Sequence, residues 1–298
     1  MRDDALVSAD GVTVRFGDVT ALDEVSCAFG SHGVHGLIGV NGAGKTTLLH
    51  AILGLVPVTA GTIARPAEGI AYCTDTPSFE PFLTASEVMA QSAALGRGRS
   101  AVPSPREIGE HLDAVGLGDA ANRRVAGFSR GMKQRLGIAA ALVRSPAVLV
   151  LDEPTSALDP VGREAVVRIV REIGRERCVI MSSHTLGDVE SVADRLVVLD
   201  HGSLVFGGTM DGFLASTAAD QVIVVDAVTD PTGLCRVLAA RGARPDVAPE
   251  EPFSVRLRER DLPALFEVLS GGAHGIRQIS FGERSLQQAF VTRIKEVA

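Results

Sequence analysis

Gly39-Val40-Asn41-Gly42-Ala43-Gly44-Lys45-Thr46-Thr47 is the stretch on which the reading of this chain turns. From Gly39 to Thr46 it has the spacing G-x-x-x-x-G-K-[ST]. A largely apolar run, Val34 to Val40, leads into it, and Leu48, Leu49, Ile52 and Leu53 follow at helical spacing. The local order is therefore strand, tight loop, helix. Small residues at Gly42, Ala43 and Gly44 let backbone N–H groups close on phosphate oxygens, and a helix starting near Lys45 adds its positive N-terminal end. Lys45 can reach the β and γ phosphates of a nucleoside triphosphate, and the Thr46 hydroxyl suits Mg²⁺.

Downstream, Ala147-Val148-Leu149-Val150-Leu151 reads as a fully buried strand that runs straight into Asp152 and Glu153. Adjacent acids at the end of such a strand suit two tasks: Asp152 can hold the Mg²⁺ shell, and Glu153 can orient or deprotonate an attacking water. Cys178-Val179-Ile180-Met181 is the next buried strand and delivers Ser182-Ser183-His184. His184 is expected to leave the same sheet edge, where ligands of open α/β sheets bind, and to sense the γ phosphate. After Asp159, Pro160 opens an amphipathic helix through Val166, Val167, Ile169 and Ile173.

Outside these strands the signals are weaker. Val12, Val14 and Phe16 alternate with polar residues before the turn Gly17-Asp18, and a second strand runs from Thr20 to Phe29. A ring at Phe16, at the end of this hairpin, can stack on a base. Ile70 to Cys73 reads as a strand, taken with the segment after Gly61 as a pair. Asp75 behind it is a candidate Mg²⁺ or water contact, or a turn residue before Pro77; on this stretch alone the turn reading is stronger. Thr84 and Glu87 form the signature of a capping box, a loop rich in Gly, Arg, Ser and Pro spans Gly96 to Pro105, and a second helix runs to Val115. Ser129 is a good N-cap for a helix that continues to Leu142, and the N–H groups around Gly131 make an anion site. A helix from Leu186 to Arg195 and a hairpin across Asp200-His201-Gly202 follow. Beyond a linker at Ser216 to Asp220, the order β-α-β-β-α-β fits a small ferredoxin-like unit closed by a helix from Ser285 to Val297.

Composition sets the outer bounds. The 298 residues suffice for two domains, 46% of them are hydrophobic, and the net charge is −7. The acidic balance weighs against nucleic-acid binding. The four cysteines form no C-x-x-C pair and read as reduced thiols. No apolar run approaches the ~18 residues that span a bilayer, and the N-terminus lacks a signal-peptide core.

Taken together, the motifs resemble those of the ABC transporter ATPase family, over Leu6 to about Leu214. Gly39–Thr46 resembles Walker A, Val148–Glu153 Walker B with its catalytic glutamate, Ser129–Gln134 the signature motif, Ser156–Asp159 the D-loop, His184 the switch histidine and Phe16 the adenine-stacking aromatic. The resemblance implies an α/β fold: a P-loop NTPase ABC ATPase domain at 1–217, with a core α/β sheet, an N-terminal antiparallel β subdomain and a helical subdomain. A small C-terminal α+β domain at 221–298 completes the expectation. It implies ATP and Mg²⁺ as cofactors, with Lys45, Glu153 and His184 catalytic and Thr46, Asp152 and Asp75 at the metal. Phe16, Asn41–Thr47, Ser129, Gly131 and Asp159 would bind nucleotide. Two ATPase subunits, alike or different, would sandwich two ATP head to tail, so that Ser129 and Gly131 of one cap the γ phosphate held by Lys45 of the other. Arg130 and Met132 depart from the family's signature glycine and glutamine, and Asp75 stands where the family has a glutamine. Arg130 is tolerated if its side chain points away. The Ser285-Leu286-Gln287-Gln288-Ala289-Phe290 and Thr76-to-Thr84 segments are similar to the drug- and antibiotic-resistance exporters of the daunorubicin-resistance type. That implies a subunit peripheral to the inner face of the cell membrane, driving export through a separate integral permease, with no nucleic-acid partner. The alternatives are a soluble ABC ATPase acting on ribosomes or nucleic acid, and a weakly hydrolysing nucleotide sensor in a heterodimer.

Overall fold

A computed structural model describes residues 5–67, 69–95, 103–216, 222–227, 231–247, 254–271, 276–281 and 285–297. The contacts divide the chain into two units, Met1–Phe213 and Leu214–Ala298. The expected linker at Ser216–Asp220 and the loop at Gly96–Pro105 fall mostly outside the described residues.

The first unit begins with two long antiparallel strands, β1 (Ala5–Phe16) and β2 (Val19–Gly30), joined at Gly17-Asp18. Next come β3 (Gly33–Ile38), helix α1 (Lys45–Leu53), β4 (Ala60–Ala64) and β5 (Ile70–Cys73). The expected pairing of the last two does not occur. β4 joins β1 and β2 in a three-stranded sheet, while β5 enters the main sheet as the parallel neighbour of a later strand.

Three helices then pack on one another: α2 (Ala85–Ala94), α3 (Pro105–Ala114) and α4 (Arg130–Leu142). Thr84 and Ser104 each close a reciprocal capping box with the glutamate three residues on, and the Ser129 hydroxyl accepts the Met132 N–H. Each such cap stabilises its helix by about 1 kcal/mol. The chain continues through β6 (Val148–Leu151), α5 (Pro160–Gly174), β7 (Cys178–Ser182), α6 (Leu186–Val192), β8 (Arg195–Asp200), β9 (Ser203–Thr209) and α7 (Met210–Ser216). Helix α6 is shorter than its sequence pattern, which runs to Arg195. Asp194 bonds to β3 instead, its N–H donating to the Val34 carbonyl at 2.8 Å and its carboxylate accepting the Val34 N–H, and so pulls the chain into β8.

The main sheet has the order β5-β6-β7-β3-β8-β9, parallel except for the β8–β9 hairpin. That hairpin turns on His201 and Gly202, both at positive φ, as a two-residue type I′ loop requires. Helix α1 is enclosed with both sheets in one apolar core: Leu48, Leu49 and Ile52 lie with Val12, Leu22 and Phe29 of the small sheet and Val150, Ile180 and Leu199 of the large one. Both faces of β6 and β7 are covered, so their side chains are buried without alternation.

The second unit contains β10 (Val222–Ala227), α8 (Pro231–Ala239), β11 (Asp246–Val247), β12 (Ser254–Arg258), α9 (Leu262–Ser270), β13 (Ile276–Phe281) and α10 (Leu286–Val297). Its sheet has the order β11-β12-β10-β13 with every neighbour antiparallel. This is the ferredoxin-like arrangement, and Val225, Val255 and Leu257 pack beneath Leu234, Leu238, Leu265 and Val268 of its helices.

Candidate functional site

The ends of β3, β6 and β7 lie side by side, because β7 pairs with β6 on one flank and β3 on the other. The loop after β3 wraps over this edge. Gly44 sits at φ 101°, where a Cβ would lie 2.8 Å from the Ala21 carbonyl oxygen, so only glycine fits. Gly42 is at φ 80° and faces open space on its Cβ side. No side chain caps α1. Its first-turn N–H groups have no intrahelical acceptors and face a cleft of about 420 Å³ lined by Val19, Asn41 to Thr47, Glu153, His201 and Gly202. An uncapped helix start behind a glycine loop is an anion site. The Lys45 ammonium rests on the loop itself, donating to the Gly39 carbonyl at 2.8 Å and the Val40 carbonyl at 3.3 Å. Burial pulls its pKa below the ordinary lysine value, while Glu153 and Asp152 pull the other way.

Opposite the loop, Thr46 Oγ1 lies 3.4 Å from Asp152 Oδ2. Two oxygens at that separation can share one small cation. Among the described residues no three His, Cys, Asp or Glu side chains gather into a protein-only metal cage. This fits Mg²⁺, which takes few protein oxygens and completes its shell with phosphate and water. Asp152 is also reached by Tyr72, whose hydroxyl is 3.5 Å from Oδ2, and by Ser182, whose hydroxyl donates to Oδ1 at 2.5 Å. Burial first and then Asp152 push the Tyr72 phenol up to about 12. Asp75 is exposed and is not among the hydrogen-bond partners of Asp152.

Glu153 follows in a left-handed conformation at φ 48°, a strained position for a residue with a side chain. Its N–H is accepted by Ser182 Oγ at 2.9 Å, and its Oε2 meets His184 Nδ1 at 2.6 Å and the His184 N–H at 3.3 Å. A carboxylate gripped by a histidine at the rim of a phosphate cleft can orient a water and take its proton.

Other expected residues stand apart. Phe16 ends β1 and is 52% exposed; the cleft lining draws on Val19, Thr20 and Ala21 of the adjoining strand. Asp159 spends a carboxylate oxygen on capping α5, accepting the Gly162 N–H at 2.7 Å. Ser129 and Gly131 start α4 and do not line the cleft. The Arg130 side chain turns to the β5 exit and donates to the Thr76 hydroxyl at 3.3 Å, while Gln134 donates to the Thr74 carbonyl. The sequence assigned no site role to Tyr72, Ser182 or the His201-Gly202 turn. Only the last carried a local signal, the hairpin itself. A larger cavity of about 570 Å³, lined by Ser8, Cys27, His32, His35 and Arg195, lies at the other end of β3; the phosphate loop and the paired acids are absent from it.

The family model described as ABC transporter matches residues 22–156. The chain is 38% identical over 211 residues to the ABC transporter ATP-binding protein YxlF of Bacillus subtilis, covering 69% of this chain and 71% of that protein. It is 33% identical to the daunorubicin resistance ATP-binding protein DrrA3 of Streptomyces coeruleorubidus, covering 74% of each. It is 31% identical to the Nod factor export ATP-binding protein I of Paraburkholderia xenovorans, covering 86% of this chain and 91% of that one. A solved ATP-binding subunit of an ABC transporter superposes with a TM-score of 0.63 at 26% identity, over 71% of this chain and 92% of that one.

Proposed function

Because this chain belongs to the ABC transporter ATP-binding proteins, we propose that it powers an exporter through a separate integral membrane permease. As an ABC ATPase it binds and hydrolyses ATP. The observation that carries the mechanistic reading is the meeting, at one sheet edge, of the Lys45–Thr46 loop with Asp152, Glu153 and His184. In the reading proposed here Lys45 leaves its two carbonyls for the β and γ phosphates, and the loop N–H groups hold the same oxygens. Thr46 and Asp152 would hold Mg²⁺, which when bound would supply neutralisation of phosphate charge. Glu153 orients a water and accepts its proton as the water oxygen bonds to the γ phosphorus and the bond to the ADP oxygen breaks. His184 keeps Glu153 aimed.

Ser129 and Gly131 do not line the cleft of their own chain. This supports a head-to-tail pair of ATPase subunits in which each supplies these groups to the other. Among the described residues no helix is long and apolar enough to cross a membrane, so transport needs a spanning partner, and the chain would work at the inner face of the membrane. An export role is supported by two relatives, a daunorubicin resistance ATP-binding protein and a Nod factor export ATP-binding protein. The test is a native pull-down of the tagged Glu153→Gln chain from detergent-solubilised membranes with Mg-ATP. Recovery of a multi-span membrane protein is expected; ribosomes or nucleic acid in its place would overturn the export reading.

A further inference from the structure

Ser182 is fully buried at the end of β7, directly across from Asp152 in the parallel register that pairs Leu151 with Met181. Its hydroxyl is used twice. It donates to Asp152 Oδ1 at 2.5 Å and accepts the Glu153 N–H at 2.9 Å. One oxygen thus fixes the aim of one acid and the backbone of the next, at the point where Glu153 takes its strained φ of 48°. Asp152 Oδ2 is left turned toward Thr46, with only the long Tyr72 contact beside it.

We propose that Ser182 is a positioning residue for the hydrolytic centre: its hydroxyl orients Asp152 so that Oδ2 is presented to Mg²⁺, and holds Glu153 in the backbone conformation that faces the γ phosphate. The proposal rests on the metal role of Asp152 given above. The alternative of a purely structural hydroxyl is met by the geometry. A serine filling a core position needs one acceptor; this one joins the two acids to each other and no other group of the sheet. Outer-shell partners of this kind typically govern metal affinity or activity by about 10–100-fold.

The chain carries its own reporter. Tyr72 is the single tyrosine and there is no tryptophan, so intrinsic emission comes from one phenol, 3.5 Å from Asp152 Oδ2. Mg²⁺ is titrated onto the full chain loaded with ADP, followed by Tyr72 emission, and onto the chain turning over ATP. For Ser182→Ala the half-saturating Mg²⁺ is expected to rise about 10–100-fold in both titrations, with kcat lowered and Mg-free nucleotide affinity unchanged. Ser182→Thr, which keeps the hydroxyl on a residue suited to a strand, is expected to restore the wild-type midpoint. If the alanine form does not fold, Ser182→Cys, close in volume and a weak donor, is read in its place. A wild-type Mg²⁺ midpoint in the alanine or cysteine form overturns the proposal, as does a threonine form shifted as far as the alanine form. If the wild-type chain shows no Mg²⁺ response by either readout, the metal role of Asp152 fails first and the proposal falls with it.

Discussion

The two ends of strand β3 treat their polar groups in opposite ways. At its start, backbone N–H groups are answered by side chains. Asp194 Oδ2 accepts the Val34 N–H at 2.8 Å, and His35 Nε2 accepts the Gly30 N–H at 3.1 Å. At its end, the chain enters a glycine loop and a helix that has no capping side chain, although Thr84, Ser104, Ser129 and Asp159 cap α2, α3, α4 and α5. One strand thus separates an end whose backbone donors are taken up by side chains from an end whose donors are left for a ligand. The difference teaches where to look for function in such a sheet: at the donors that folding has left unanswered.

The sharpest way to break this contrast is at the open end. Glu153→Gln is expected to lower turnover by about 10²–10⁴-fold while ATP binding persists, measured as phosphate release beside equilibrium nucleotide binding. Unchanged turnover would remove Glu153 as the base. Its thermal stability is expected to change little, since the histidine contact is at the rim, with the His184 side chain 53% exposed.

The closed end is tested by acid. Burial, followed by the charge of Arg195, pushes His35 down to about 4 from the ordinary 6.5. The folded chain therefore binds fewer protons than the unfolded chain between those values, and stability falls as pH drops through that window. The full loss, reached below about pH 4, is on the order of 3 kcal/mol. Denaturant melts of wild type and His35→Gln at pH 7 and pH 4.5 are expected to show a larger acid loss in the wild type. Parallel pH profiles would mean that His35 is not held neutral by the fold.

How far each end could be read beforehand follows from the range of the interactions. The glycine loop, the run into Asp152-Glu153, the Thr84 capping box and the hairpin at His201-Gly202 are local patterns, and each stands in the structure where its residues indicate. Ser182 and Tyr72 were invisible because their roles depend on register between strands far apart in the chain: residues 70–73 and 178–182 meet 148–151 only once the sheet order is set. The same cause separated β4 from β5 and shortened α6. In both cases a pairing partner outside the local window decided the outcome.

A smaller effect is expected from Asp194→Ala, which strips the Val34 N–H of its side-chain acceptor. A hydrogen bond to a charged group at a half-open site contributes roughly 1–2 kcal/mol, so the melting midpoint should fall while turnover per folded molecule stays as it was. A loss of turnover without a loss of stability would show that the two ends of β3 are coupled, and the division drawn above would fail.

The least expected effect lies at the margin of the open end. Phe16 is half exposed and outside the lining of the cleft, yet it ends the strand whose hairpin supplies Val19, Thr20 and Ala21 to that lining. A ring that closes over the base on binding would contribute about 0.5–1.5 kcal/mol, which corresponds to a roughly 2–10-fold weaker ATP affinity in Phe16→Ala. Inorganic tripolyphosphate separates the two parts of the ligand, because it engages the loop and has no base. If Phe16 stacks on adenine, the substitution weakens ATP and leaves tripolyphosphate unchanged. If both ligands weaken alike, Phe16 acts by holding the hairpin against the loop, and the open end owes its shape to the small sheet as well as to the glycines.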